Sequence, residues 1–305
     1  MLDGTPCFVD RANWPMLIWR IHMRLGVHVS IAGGIVEALN RARRLSCSTI
    51  QIFSRSPRGG PAPRFSKAEL DEFSDLRRRF DIDPLVIHAP YIINLASSDR
   101  IVWGRSCALY IQEYKRAALL GARYLVTHVG SHKGRGEASG IRRVALALNR
   151  TLEKSDVPVM VLLENTAGSG QGLGASFEQL SDMRNQVGRK ELVGVCLDTA
   201  HLFAAGFPIH TQRGLDSTLK EFRSILGKDN LKLVHLNDSK APFDSHLDRH
   251  WHIGKGHIGL DGIKRIVNHP YLEDVPLILE TPKEKDNDAD DIRNLSVVRR
   301  LRNKK

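Results

Sequence analysis

Nine side chains of related chemistry punctuate this sequence, each just after or shortly beyond an apolar run. His88 follows Leu85-Val86-Ile87, His128 follows Leu125-Val126-Thr127, and Glu164 follows Val161-Leu162-Leu163. Asp198 follows Val195-Cys196-Leu197, His235 follows Leu233-Val234, and Glu280 follows Leu277-Ile278-Leu279. His201, Asp248 and His250 lie in the loops that come next. Any one such histidine is most simply a core residue with satisfied nitrogens. Gathered in one place the set means something else, because carboxylates that face one another repel and each costs on the order of several kcal/mol to bury unpaired. Neutral imidazoles do not cancel that charge, whereas divalent cations do. A mixed His/Asp/Glu set without cysteine matches open, catalytic zinc or manganese sites rather than structural zinc. At about three protein ligands per ion, with a bridging carboxylate allowed, nine ligands serve two or three ions. Adjacent ions can hold both the attacking and the leaving oxygen of an in-line displacement, so the inferred substrate is a phosphodiester.

What must bring these residues together is a repeated β-α pattern. The candidate strands are Leu25–Ser30, Thr49–Phe53, Leu85–Ala89, Tyr124–Val129, Val157–Glu164, Val193–Thr199, Leu231–Asn237 and Val275–Thr281. Several are apolar throughout rather than alternating, as expected of strands covered on both faces. Between them run amphipathic stretches: Ile35–Leu45, Lys67–Phe80, Val102–Leu120, Ser139–Leu152, Phe177–Gln186, Leu215–Leu226, Leu260–Val267 and Asp290–Leu301. Ser66 with Glu69 predicts a capping box at the start of the second. Eight alternations without a GxGxxG after the first strand favour a closed (β/α)₈ TIM barrel over an open doubly wound sheet. In a barrel, residues at the carboxyl ends of the strands share one mouth.

The chain has 305 residues, 42% of them hydrophobic, with a formal charge of +11. Its sequence pI is about 9.7. The charge is that of a protein drawn to a polyanion, although a solvated basic surface gives the same number. Cys7, Cys47, Cys107 and Cys196 are scattered and form no CxxC pair, so neither a disulfide framework nor a cysteine zinc site is indicated, and reduced thiols in a cytoplasm are the simpler account. No apolar run approaches the roughly 20 residues that span a bilayer. Residues 1–22 read as a loose amino-terminal extension, ahead of one barrel domain over 23–305.

From about Arg24 to Glu280 the chain resembles the endonuclease IV family. Segments in matching order include Gly26-Val27-His28-Val29-Ser30, His88-Ala89-Pro90-Tyr91, His128-Val129-Gly130-Ser131-His132 and Glu164-Asn165-Thr166-Ala167-Gly168. Cys196-Leu197-Asp198-Thr199-Ala200-His201 follows, then His235-Leu236-Asn237-Asp238-Ser239-Lys240 with Asp248-Arg249-His250, and Leu279-Glu280-Thr281. The resemblance implies a zinc-dependent apurinic/apyrimidinic endonuclease for base excision repair, with three zinc ions and manganese as an alternative occupant at some sites. His88, His128 and Glu164 would hold the first ion, and Glu164, Asp198, His235 and Glu280 the second. His201, Asp248 and His250 would hold the third. A hydroxide would attack the phosphate 5′ to an abasic deoxyribose and leave a 3′-hydroxyl, with 3′-end cleaning as a companion activity. Glu164 and Glu280 would be the catalytic carboxylates, Glu280 also as general base. Arg58 matches a basic residue of a DNA-probing loop, and Tyr91 and Ile92 match a wedge pair. The implied partner is double-stranded DNA containing abasic sites, bound by a monomer in the cytoplasm, with no membrane involved.

There are departures from the family pattern. Gly59-Gly60 stand where a larger polar residue and an aromatic are usual, which bears on lesion affinity rather than on cleavage chemistry. Val129 replaces a typical proline and Ala200 a frequent cysteine, neither of them a ligand. His28 and His132 read as supporting or core histidines, and Lys240 and Arg249 as phosphate contacts or solvated cations. Two other readings remain: a sugar isomerase or epimerase on the same barrel, which needs fewer ions and no basic face, and a non-catalytic DNA-binding protein that keeps zinc for stability.

Overall fold

The eight apolar runs become eight parallel strands in a computed structural model that describes residues 23–153, 159–283 and 288–302. In chain order the strands are β1 (Leu25–Val27), β2 (Ile50–Phe53), β3 (Leu85–His88), β4 (Tyr124–Thr127), β5 (Met160–Glu164), β6 (Val193–Asp198), β7 (Leu231–His235), β8 (Asp238–Ser239), β9 (His250–Trp251) and β10 (Leu277–Leu279). The barrel sheet runs β1-β10-β7-β6-β5-β4-β3-β2, and β8 and β9 form a separate antiparallel pair. A parallel bridge between His28 and Gln51 closes the seam between β1 and β2. Val29 N–H donates to Gln51 O at 2.8 Å beside it, and Ser48 N–H to Leu25 O at 3.0 Å. The extension expected at residues 1–22, Cys7, and the first residues of the fifth expected strand lie outside the described residues.

Nine α-helices are described: α1 (Ile35–Arg44), α2 (Lys67–Arg79), α3 (Arg100–Leu119), α4 (Glu137–Leu152), α5 (Phe177–Asn185), α6 (Thr199–Ala204), α7 (Gln212–Leu226), α8 (Gly259–Asn268) and α9 (Ala289–Leu301). The capping box at α2 is present, with Ser66 Oγ accepting from Glu69 N–H and Glu69 Oε2 accepting from Ser66 N–H. Asp99 starts α3 two residues earlier than expected, because its carboxylate accepts both Ile101 N–H and Val102 N–H. No helix among the described residues is long and apolar enough to cross a membrane.

Two apolar layers share the strands. Residues pointing outward meet the helices, while Val86, Tyr124, Val126, Leu162, Cys196, Leu233 and Ile278 form a separate cluster that fills the barrel. Alternation along a strand fixes what comes next. Two residues beyond Val86, Val126, Leu162, Cys196, Leu233 and Ile278 stand His88, His128, Glu164, Asp198, His235 and Glu280. The six strand-end candidates are therefore the inward-facing layer directly above the barrel plug.

The sequence places His201, Asp248 and His250 in loops, and the structure corrects this for two of them. His201 lies on α6, a helix started by Asp198, whose Oδ1 accepts His201 N–H at 2.8 Å. His250 lies on β9, paired with β8. That hairpin is rooted by the buried Asp238 carboxylate, which accepts N–H bonds from Gly254 (2.9 Å), Gly256 (3.0 Å) and Ile258 (3.0 Å).

Closure of the seam leaves no room at Gly26, where a Cβ would stand 1.7 Å from the Thr49 carbonyl oxygen. The obstacle is backbone on the neighbouring strand and cannot rotate away. Gly26→Ala is expected to destabilise the fold by roughly 3 kcal/mol or more; a denaturant midpoint equal to that of the unsubstituted protein would contradict this account of the seam.

Candidate metal centre

All nine candidates converge on the carboxyl-end mouth of the barrel. Glu164 is fully buried at the middle, with Oε2 3.2 Å from His88 Nε2 and 3.0 Å from His128 Nε2. Its Oε1 lies 2.8 Å from His235 Nδ1 and 3.7 Å from His201 Nδ1. Glu280 approaches the same His235 nitrogen at 3.2 Å. On the far side, Asp248 Oδ1 lies 3.1 Å from His201 Nε2 and 3.4 Å from His250 Nε2, and those two imidazole nitrogens are 3.3 Å apart. Asp198 Oδ2 is 3.4 Å from His250 Nε2.

Among the described residues, three groupings of the nine candidates have ligand atoms mutually within 4.8 Å: His88, His128 and Glu164; Glu164, Asp198, His235 and Glu280; and Asp198, His201 and His250. The first two are the sets expected for two ions. In the third, Asp198 joins His201 and His250, and Asp248 is more peripheral, its side chain 49% exposed. Cys196 also falls within reach of Glu164 and His235. Burial pushes its thiol up to about 12, so it stays protonated at neutral pH and leaves the carboxylates as the available anions.

Tautomer geometry makes the set a test for cations. His88 Nδ1 faces Ala89 O at 2.7 Å, His201 Nδ1 faces Asn165 O at 2.9 Å, and His250 Nδ1 faces Glu280 O at 3.2 Å. A carbonyl only accepts, so each Nδ1 carries the hydrogen and each Nε2 presents a lone pair to the centre. His235 is reversed, with Nε2 donating to Gln51 Oε1 at 2.9 Å and Nδ1 turned inward. The centre therefore sets lone pairs against carboxylate oxygens about a hydrogen bond apart, an arrangement that needs a proton or a metal ion between them. Among the described residues, every ion pair made by Glu164, Asp198, Asp248 and Glu280 is with a histidine, none with lysine or arginine. The donor set fits divalent cations.

Electrostatics without metal agree. Burial opposes the charged form of His201, but Asp198, Asp248 and Glu164 outweigh it and raise the imidazole to about 10. His235 is likewise held well above its ordinary value, the carboxylates of Glu280 and Glu164 overcoming burial. Burial alone would raise Glu164, yet His128 and His235 keep it well below the usual carboxylate range. Asp248 falls to about 2 because His201 and His250 overcome its desolvation. Protons on imidazoles occupy the role that dications fill.

Residues to which the sequence assigns no role hold the candidate ligands in place. Gln51, buried on β2, donates to Glu280 Oε1 at 2.6 Å while accepting from His235. Its Nε2 also lies 3.0 Å from His28 Nδ1, which makes His28 a supporting histidine as expected. Asn237 donates to Asp198 Oδ2 at 2.6 Å and accepts Glu280 N–H at 2.8 Å. Asn165 exchanges bonds with the Asp198 backbone and receives His201. The only signal in the sequence is adjacency: Asn165 follows Glu164, and Asn237 lies two beyond His235. His132 accepts Gly136 N–H at 3.2 Å, supporting the start of α4. Lys240 lies 4.0 Å over the Trp251 ring, and Arg249 donates to Asp248 O.

Around the mouth, Arg58 is exposed on the β2–α2 loop. Tyr91 and Ile92 are 63% and 51% exposed rather than packed under the rim. Tyr91 still meets Phe53 and His88, at 5.4 and 5.6 Å between ring centroids. A Cβ at Gly59 would lie 3.3 Å from Ile92 Cδ1, so the two loops touch there. Beside Glu280 opens a cleft of about 730 Å³, walled by Ile31, Phe53 and Tyr91 with Lys283 at its edge.

A family profile described as a xylose isomerase-like TIM barrel matches residues 39–301. The sequence is 44% identical over 268 residues to the probable endonuclease 4 of Halothermothrix orenii, covering 88% of this chain and 96% of that protein. The crystal structure of endonuclease IV from Thermus thermophilus is similar with a TM-score of 0.81 at 35% identity, over 91% of this chain and 98% of that one. A D-tagatose 3-epimerase-like protein is similar at TM-score 0.69 and 18% identity, over 92% of this chain and 97% of that one, a likeness of fold alone.

Two outcomes follow for metal-stripped protein. Gln51→Leu should weaken zinc binding about ten- to a hundredfold, since a ligand carboxylate and a ligand imidazole both lose their orienting partner; an unchanged affinity in a chelator-competition titration would count against this role. Near pH 8 zinc uptake should release protons, because His201 is charged below about 10 and a ligand nitrogen must be neutral. The release fades as pH rises past that value. Calorimetry in buffers of different ionisation enthalpy reads it directly, and a buffer-independent heat would contradict it.

Proposed function

Since this chain belongs to the endonuclease IV family, we propose that it is a zinc-dependent DNA-repair endonuclease that cuts the phosphodiester 5′ to an abasic deoxyribose and leaves a 3′-hydroxyl. The observation that carries the reading is the mouth itself: four carboxylates and five imidazoles aimed at one another, with no basic side chain among the described residues paired to them. His88, His128 and Glu164 would hold one ion, and Glu164, Asp198, His235 and Glu280 a second. His201, Asp248 and His250 would hold a third, with Asp198 near enough to share it. When bound, such ions supply Lewis-acid polarisation of the phosphate and a water acidic enough to act as nucleophile near neutral pH.

The chain's own residues do the rest. Glu280, with Oε1 fixed by Gln51, keeps Oε2 toward the centre and accepts the proton of the attacking water. Gln51, Asn165 and Asn237 hold the ligands so that little reorganisation accompanies reaction. Tyr91 and Ile92 project from the rim to fill the gap left in the base stack when an abasic sugar is drawn out, and Arg58 meets the backbone beside it. The +11 charge supplies the sequence-independent attraction to DNA. A blocked 3′ terminus presents the same phosphate, so 3′-end cleaning belongs to the same reading. The enzyme acts as a monomer in the cytoplasm.

A duplex carrying one abasic site, incubated with zinc-loaded protein at neutral pH, should be nicked on its 5′ side, and a chelator should stop the reaction. Absence of a chelator-sensitive nick would favour a sugar isomerase on this barrel. Glu280→Gln should lower the nicking rate roughly 10²–10⁴-fold with duplex binding retained; undiminished cleavage would remove Glu280 from the mechanism.

A further inference from the structure

Among the described residues, the hydrogen bonds that tie the β2–α2 loop to the rest of the fold lie at its neck. At one end, Ser54 Oγ donates to Glu113 Oε2 at 2.6 Å, and Arg55 pairs with the other oxygen of the same fully buried carboxylate. Arg116, one turn along α3, donates through Nε to Ser54 Oγ at 2.8 Å and through Nη2 to Ser54 O at 2.6 Å. Its remaining nitrogen, Nη1, crosses to the other end and donates to Pro63 O at 2.9 Å, with the guanidinium 4.6 Å from the Phe65 ring. One planar cation thus bridges both ends of the segment that carries Arg58. Beyond the neck the loop holds Gly59 and Gly60, both at φ +97°, and its tip meets Ile92. The β3–α3 loop bearing Tyr91 and Ile92 is held by the same helix, since Ser106 Oγ accepts Asn94 N–H at 3.1 Å. Ser106, Glu113 and Arg116 share one face of α3 at helical spacing.

We propose that Arg116, supported by Glu113, is a positioning residue for lesion recognition: its guanidinium closes the neck of the β2–α2 loop and sets where Arg58 stands relative to the Tyr91–Ile92 pair. The proposal rests on the endonuclease reading and adds the element that couples the two probing loops. The chain needs such a brace because glycines at positions 59 and 60 give the loop backbone freedom and no side chain of its own to pack. Arginine suits the role through its fork: three nitrogens on one rigid plane reach acceptors on two sides, and a lysine ammonium reaches one cluster at most.

The test is steady-state cleavage of a duplex with a single tetrahydrofuran abasic analogue by zinc-loaded Arg116→Met and Arg116→Lys, alongside hydrolysis of bis(p-nitrophenyl) phosphate. The small diester needs the metal centre and no loop. Both variants should raise KM for the abasic duplex about tenfold, keep kcat within about twofold, and leave small-diester turnover unchanged. In an Arg58→Ala background the Arg116 substitution should add nothing further, because the group it positions is gone. Circular dichroism and Tm report folding, and Arg116→Lys carries the test should Arg116→Met fail to fold. Wild-type KM in Arg116→Lys would show that charge alone suffices and overturn the bracing role, as would additivity with Arg58→Ala or equal losses of kcat on both substrates. A wild-type protein that fails to nick the abasic duplex at all overturns the endonuclease reading itself, an outcome visible before any variant is compared.

Discussion

At the centre of this molecule hydrogen-bond acceptors face hydrogen-bond acceptors. Glu164 is wholly buried, yet its oxygens meet the inward nitrogens of His88, His128 and His235. For His88 and His235 a carbonyl or amide oxygen on the other nitrogen has already claimed the ring hydrogen. Such a core is tolerable only with positive charge inside it, and no lysine or arginine among the described residues supplies that charge. The raised imidazole values of His201 and His235 are the same statement in protons. Every other feature of the mouth follows from the need to gather these groups without letting them collapse or turn away.

The barrel meets that need by counting. Each of six strands contributes an apolar or sulfur-bearing residue to the plug and then, two positions later, a candidate ligand to the layer above. The plug keeps water from the underside of the centre and so strengthens the electrostatics there. The remaining three candidates come from additions to the basic repeat. A helical turn started by the Asp198 carboxylate presents His201, and a hairpin rooted on a buried aspartate presents Asp248 and His250.

Much of this is legible in the sequence. Apolar runs ending in His, Asp or Glu mark the strands and their chemistry together, because in a parallel barrel the end of the strand is the site. The helices are legible from periodicity and from Ser66 and its partner Glu69. What escapes is of three kinds. Gln51, Asn165 and Asn237 carry no charge and no characteristic spacing, so their importance appears only once distant segments are in contact. Residues 199–204 look like a loop because their helix is short and buried on all sides, with no amphipathic stripe to betray it. The Arg55–Glu113–Arg116 network joins residues about sixty positions apart, a separation at which a single sequence offers no pairing signal.

Asp198 illustrates a wider property of the centre. Its Oδ1 starts α6, its Oδ2 is held by Asn237, and its backbone is tied to Asn165. These bonds all run between groups of the polypeptide itself, so the cavity owes its contour to the chain. A mould of imidazole nitrogens and carboxylate oxygens shaped in this way suits a borderline dication. On that geometry the discrimination among such dications would rest as much on their supply as on the shape of the berth.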